Sequence, residues 1–185
     1  MNTPDFRKIN DEVFIAQGSI VKIGPSEVAF IKAQAAANDR RRARICAHKS
    51  NDDKLHEMII AISMQSYIHP HKHPGKSESF HIVEGAVDIV VFDDDGVVTE
   101  AIELGDPTTG RFFFYRLEKN AYHTLLLKTE FLVVHEITNG PFVFEKTLLA
   151  PWAPNEGRIA ETNQYMKSVA DLVQKNRLAA DQSGQ

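Results

Sequence analysis

From residue 55 onward, apolar positions come in short blocks separated by turn residues. Residues 55–64 form a nearly continuous apolar run, which predicts a strand buried on both faces. Residues 67–73 read as extended, broken by Pro70. Residues 79–83 and 86–92 predict strands joined through Glu84-Gly85. Asp93-Asp94-Asp95-Gly96 predicts a hairpin turn, with residues 97–102 returning from it. After a loop at 105–110, residues 112–115, 123–127 and 131–137 predict further strands. Asn139-Gly140-Pro141 predicts another turn, and residues 142–149 a last strand. Many short strands separated by Gly and Asp turns point to an all-β barrel or double-sheet jelly roll.

The flanks carry other patterns. Residues 13–23 alternate around Gly18 and predict one or two short strands. Pro25-Ser26 opens a helix signature; Val28, Ile31, Ala35 and Ala36 fall near helical spacing, ending close to Asn38. Arg40, Arg41, Arg42 and Arg44 form a basic run. Within it, Arg42, Arg44 and Cys46 alternate with Ala43, Ile45 and Ala47, the mark of an extended segment. Beyond Ala150-Pro151-Trp152-Ala153-Pro154, the residues Ile159, Thr162, Met166, Val169 and Val173 share one helical face. That predicts an amphipathic helix from 157 to about 175, packed on the barrel or on a partner subunit, with 179–185 as a frayed tail. The expected organisation is one structural domain in three parts. Residues 1–54 pack on the barrel, 55–150 build it, and 151–185 form a C-terminal extension.

Composition narrows the class. The 185 residues are 43% hydrophobic and 25% charged, as in ordinary globular proteins, with a net charge of −4. An acidic chain with one short basic run presents no extended basic face, so nucleic acid is not an expected partner. Cys46 is the single cysteine, which excludes an intrachain disulfide and fits a reducing compartment. Residues 1–10 lack the apolar core of a secretory signal, and no run reaches the ~20 apolar residues of a membrane span. A cytoplasmic location without membrane contact is the expectation.

The chemistry concentrates at His-Pro-His-Lys-His-Pro-Gly-Lys-Ser-Glu, residues 69–78. His71 and His73 stand at i and i+2, so on an extended chain both point to one side. Glu78, entering the next strand, can complete a facial metal site. Imidazole with carboxylate suits one divalent transition metal: Fe, Mn, Ni, Co or Zn. A further ligand is expected from a later strand. His123 is the first candidate because it opens an apolar strand, after the turn-like Glu118-Lys119-Asn120; His135 is the second. His69 shares parity with His71 and His73, but Pro70 disturbs the backbone between them. His81 has opposite parity to Glu78 and is expected to face away.

These residues resemble the two cupin motifs. His71, His73, Glu78 and Gly85 match the first, G-x5-H-x-H-x3,4-E-x6-G, with Gln65 in place of its opening glycine. His123 matches the histidine of the second, G-x5-P-x-G-x2-H-x3-N, but Glu118, Asn120 and Leu127 replace its Pro, Gly and Asn. Arg42-Ala43-Arg44 with His48, Tyr67 through His73, Phe92 through Gly96, Tyr122-His123-Thr124, Gly140-Pro141-Phe142 and Ala150 through Pro154 are similar to WbuC-type cupin-fold metalloproteins. The likeness runs from about Phe6 to Glu156. It implies a double-stranded β-helix (the cupin jelly roll) with an N-terminal helix and a C-terminal amphipathic helix, and a metal held by His71, His73, Glu78 and His123. Such proteins occur with bacterial surface-polysaccharide genes, which implies a sugar or nucleotide-sugar substrate.

A three-histidine, one-carboxylate site leaves about two positions on an octahedral ion for substrate or water. That suits isomerase, epimerase or oxygenase chemistry on a small polar molecule. Tyr67, His135 and Glu136 are the candidate acid–base groups. Arg42, Arg44 and His48 are candidates for binding an anionic ligand, because alternating arginines offer paired donors to phosphate or carboxylate. Phe112-Phe113-Phe114-Tyr115 alternates sides on a strand, supplying core, dimer contacts or a pocket wall. A homodimer is expected from exposed barrel strands and the C-terminal helix. The alternative to an enzyme is a metal-dependent small-molecule binding or sensing module, or a structural cupin stiffened by its metal.

Overall fold

The structure is a computed structural model and describes residues 6–118, 120–143 and 146–183. Twelve strands follow in chain order: β1 Phe6–Lys8, β2 Val13–Ala16, β3 Arg42–Cys46, β4 Leu55–Ser63, β5 His71–Lys72, β6 Glu78–Glu84, β7 Ala86–Phe92, β8 Val98–Gly105, β9 Phe114–Leu117, β10 Tyr122–Leu127, β11 Phe131–Asn139 and β12 Leu148–Leu149. Helix α1 spans Pro25–Ala37 and helix α2 spans Ile159–Ser183. Seven strands form one sheet in the order β1-β2-β3-β4-β11-β6-β9, and five form the other, β12-β5-β10-β7-β8. This is the expected mainly β jelly roll with flanking helices.

The continuous apolar run at 55–64 has a double use. Met58, Ile60 and Ile62 of β4 point into the core between the sheets, with Phe80, Ile82, Leu132 and Val134. Ala61 points outward, beside Ala43, Ile45 and Val133, where α1 covers the sheet with Ile31 and Ala35. Helix α1 begins where Glu27 Oε2 accepts the Gly24 backbone N–H at 2.8 Å, satisfying one of the free donors of the first turn. On the other sheet, β7 is buried along its whole length for the same reason. Val87, Ile89 and Val91 face the core, whereas Val90 and Phe92 lie under Val169 and Val173 of α2.

Gly85 joins β6 to β7 with φ +90°, and a Cβ there would stand 2.4 Å from the Phe131 carbonyl oxygen. Only glycine fits that turn. Trp152 packs against Phe92, Tyr122 and Tyr165 and donates Nε1–H to the Asp94 carbonyl at 3.2 Å, pinning the chain to the outside of the barrel.

Four boundaries differ from the sequence reading: the strand pattern expected over 13–23 contracts to β2 Val13–Ala16, and three further elements have other limits. Helix α2 continues to Ser183 instead of fraying after 178. Arg177 explains the added turns: it meets Asp88 at 3.0 Å and Glu103 at 2.9 Å, tying that part of the helix to β7 and β8. The last strand contracts to Leu148–Leu149; within 142–149, residues 144 and 145 lie outside the described residues, as does Lys119 of the expected turn at 118–120. Strand β9 begins at Phe114, while Phe112 makes an isolated bridge to Leu104 of the opposite sheet.

Candidate metal centre

Each of the four clustered side chains is placed by a separate piece of backbone. Strands β5 and β10 pair with His71 directly opposite His123. His73 lies two residues beyond His71, in a turn closed by the Lys76 N–H on its carbonyl at 3.1 Å. Glu78 opens β6 in the other sheet, flanked by Leu117 and Thr138. The cluster therefore spans the two sheets. One donor atom from each of His71, His73, Glu78 and His123 lies within 4.8 Å of every other.

Glu78 is the hub. Its Oε2 is 3.5 Å from His73 Nε2 and its Oε1 is 3.4 Å from His123 Nε2. The Tyr115 hydroxyl on β9 donates to Oε1 at 3.0 Å. The far nitrogens of the rings are held by other groups. His71 Nδ1 is 2.8 Å from the His69 carbonyl, and His123 Nδ1 is 3.3 Å from the Ala121 carbonyl. A carbonyl only accepts, so each Nδ1 carries the proton and each Nε2 keeps its lone pair toward the cluster. His73 Nδ1 sits 3.3 Å from the Thr147 hydroxyl.

The electrostatics favour neutral rings at His71 and His73 beside one anion. Burial, then the neighbouring His123, pushes His71 down to about 3. Burial also lowers His73. For Glu78 burial acts upward, but His123, His71 and His73 together outweigh it and hold the carboxyl at about 2. His123 is pushed down by burial, yet the Glu78 carboxylate beside it raises it overall.

The donor set fits a divalent transition ion, and one observation goes beyond composition. His123 is 3% exposed, and its buried Nε2 makes no well-formed hydrogen bond among the described residues, its neighbour Glu78 Oε1 lying at 3.4 Å. A buried polar atom without a partner costs ~1–3 kcal/mol unless something binds it. Ligands sharing an ion at ~2.1 Å stand ~3–4 Å apart, so the cluster needs little movement to close on one. When bound, such an ion supplies Lewis-acid polarisation of a carbonyl or hydroxyl.

The remaining candidates divide between the barrel interior and other places. Glu136 on β11 stands opposite Met58, a core residue of β4, so it faces inward. Burial and then the charge of Glu78 push its carboxyl up to about 8, against the opposing pull of Arg44. Arg44 has the inward parity of Cys46 on β3, and its Nη1 lies 4.0 Å from the Met58 sulfur. Arg42 is tied at the end of the strand by Glu156 at 2.7 Å and the Tyr67 carbonyl at 3.0 Å. Tyr67 donates its hydroxyl to the Pro154 carbonyl at 2.9 Å. His48 stacks on His56 with ring centroids 4.0 Å apart, and burial, then the charge of His56, lowers its pKa. His135 lies on the outer face, 3.8 Å from Glu57, beside an outer groove of about 300 Å³ lined by Val21, Ile23, Ile45 and Ile59. His69 bonds the Ala150 carbonyl at 3.0 Å, and His81 is exposed, 5.5 Å from the Phe113 ring. None of these five histidines joins the cluster.

Tyr115 and Thr147 were not legible as site residues. Tyr115 reads as part of an aromatic run, and only the pairing of Phe80 with Tyr115 brings its hydroxyl to Glu78. Thr147 carries no motif at all; it reaches His73 because β12 pairs with β5.

Comparison with known proteins agrees with the architecture. The family described as Domain of unknown function (DUF6016) matches residues 24–104, which include His71, His73 and Glu78 but not His123. No curated protein matches the chain. Among solved structures, protein SO0799 from Shewanella oneidensis superposes with a TM-score of 0.50 at 16% identity, covering 68% of this chain and 82% of that one. The cupin domain of Schizosaccharomyces pombe Cnp3 gives 0.42 at 9% identity, covering 55% and 66%. A formate complex of Lactobacillus farciminis oxalate decarboxylase gives 0.42 at 16% identity, covering 52% and 27%. Identity this low speaks for the fold alone.

Proposed function

We propose that the chain is a metal-binding cupin that holds one divalent transition ion with His71, His73, Glu78 and His123 and acts as an enzyme on a small, anionic, sugar-type molecule. The convergence of four donors from two sheets, with the buried Nε2 of His123 making no well-formed hydrogen bond among the described residues, carries the metal reading. Arg44 and Glu136 support the anionic reading. Both share the interior side of the seven-stranded sheet, and neither is in an ion pair among the described residues. A carboxyl held neutral near pH 7 can donate or receive a proton, while Arg44 balances a ligand's charge. The sugar or nucleotide-sugar class, and a place in surface-polysaccharide metabolism, rest on the resemblance to WbuC-type proteins. Tyr67 and His135 keep the lesser part, since one is bonded to Pro154 and the other lies on the outer face.

A second reading has an observation of its own. Ile60, Ile62, Phe80, Ile82, Leu132 and Val134 pack together in the barrel interior. That favours a structural cupin whose metal stiffens the barrel.

Elemental analysis of protein purified without added metal, with mass spectrometry of co-purified small molecules, tests the proposal. The expected result is close to one transition ion per chain and an anionic small molecule released on denaturation. Metal-free protein would remove the metal centre. A co-purified ligand bound equally by wild type and Arg44→Ala would remove the anionic subsite. A ligand recovered chemically unchanged after incubation with loaded protein would favour the sensing module.

A further inference from the structure

Strand β9 closes one end of the seven-stranded sheet, and among the described residues its outer edge is unpaired. Strand β12, at one end of the five-stranded sheet, is also apolar through Leu148 and Leu149 but is only two residues long, whereas the edges of β1 and β8 are charged. Strand β1 carries Arg7 and Lys8, and β8 carries Glu100 and Glu103, the charges that commonly keep an edge from pairing. At β9, Phe112, Phe113 and Phe114 are instead 72%, 47% and 51% exposed, beside Val83 at 45%. Three consecutive exposed phenylalanines next to an unpaired strand edge are an unusual surface for a monomer.

From this we infer that β9 pairs antiparallel with β9 of a second copy, joining the two seven-stranded sheets into one. Backbone parity sets the register. The Phe113 carbonyl accepts from the Ile82 N–H at 2.8 Å, so residues 113, 115 and 117 turn their polar groups toward β6. Phe114 and Arg116 turn theirs to the free edge. Only residues of that outward set can pair across the two-fold axis. Centring on Arg116 would place two guanidiniums face to face. Centring on Phe114 would need the edge of Phe112, whose carbonyl is taken by the Gly105 N–H. Centring on Tyr115 sets Phe114 of each copy opposite Arg116 of the other and makes both exchanged pairs. It also lays each exposed ring against a guanidinium, a favourable contact.

The exposed rings supply up to about half of the area a dimer needs. Three phenylalanines exposed to this degree offer about 250–400 Å². A stable interface covers about 800 Å² per partner, the remainder coming from the paired backbone and the flanking segments. The axis passes beside Tyr115, whose hydroxyl holds Glu78, so pairing would brace the strand that supports the candidate metal centre.

The mass of the full chain in solution tests the inference, read by light scattering at micromolar concentration. Wild type is expected at twice 20.8 kDa, and Phe114→Glu at 20.8 kDa with an unchanged circular-dichroism spectrum. The register has its own readout, which needs no charged substitution. Oxidation of the double variant Phe114→Cys/Arg116→Cys is expected to yield a covalent dimer, and neither single variant to yield one. A wild-type mass of 20.8 kDa, a dimer that persists in Phe114→Glu, or a double variant that stays uncrosslinked would each overturn it.

Discussion

The Tyr115 hydroxyl donates to Glu78 Oε1 at 3.0 Å, from a strand that lies next to β6 only in the folded sheet. This contact fixes the orientation of the one carboxylate in the cluster, and neither residue is exposed to solvent. Groups that orient a ligand are commonly worth 10- to 100-fold in metal affinity. Tyr115→Phe removes the donor and keeps the ring against Phe80. The expected outcome is metal affinity weaker by about 10- to 100-fold by calorimetric titration, with the metal-free protein destabilised by about 1–3 kcal/mol through the lost bond to a buried carboxylate.

Removing two imidazoles should empty the site. In the His71→Ala/His73→Ala variant, elemental analysis is expected to find metal well below stoichiometric while the β-rich circular-dichroism spectrum persists. Full metal content in that variant would refute the centre.

The carboxyl of Glu136 gives a pH signature. Its folded pKa, about 8, lies above its ordinary value of 4.5, so the folded state holds the proton more tightly than the unfolded chain. Its contribution to stability is fully present below about pH 4.5 and is lost as pH rises through 8. Glu136→Gln cannot titrate. Melting temperatures of the metal-free proteins between pH 5 and pH 8 are therefore expected to fall more steeply for wild type than for Glu136→Gln. Parallel curves would contradict this.

His71 acts with the opposite sign. Its folded pKa, about 3, lies below the ordinary 6.5, so acid protonates the unfolded chain first. Stability of the metal-free protein is expected to drop as pH falls from 6.5 toward 3, and the drop should shrink in His71→Gln. Loaded protein should release its ion over the same range, followed with a chromophoric chelator.

Asp88 is fully buried on the outer face of β7, and receives Lys128 at 2.8 Å and Arg177 at 3.0 Å. Asp88→Ala leaves Lys128 without its anion and Arg177 with Glu103 alone, and loosens α2. A loss of about 1–3 kcal/mol in urea unfolding is expected, at the low side of buried-pair values because both cations are partly exposed. Metal content should not change, which separates this variant from those at the centre.

What the sequence determined by itself was local. Short apolar blocks with Gly and Asp turns specified strands and a jelly roll, and Pro25 with the spacing of Ile31 and Ala35 specified α1. The spacing of His71, His73 and Glu78 marked the cluster, because residues so close in the chain share a turn and two adjoining strands whatever the rest does. Strand parity also turned His81 away from the site.

Only the tertiary structure decided which distant residues completed it. The pairing of β5 with β10 sets His123 opposite His71, and the pairing of β6 with β9 brings Tyr115 to Glu78. The same register that points Glu136 inward points His135 outward, although both adjoin in the chain. The frayed tail became ordered helix because Asp88, some ninety residues earlier, offers Arg177 a buried carboxylate. A one-residue slip in any strand would reverse its faces, and the register that prevents it is set by the packing of both sheets together.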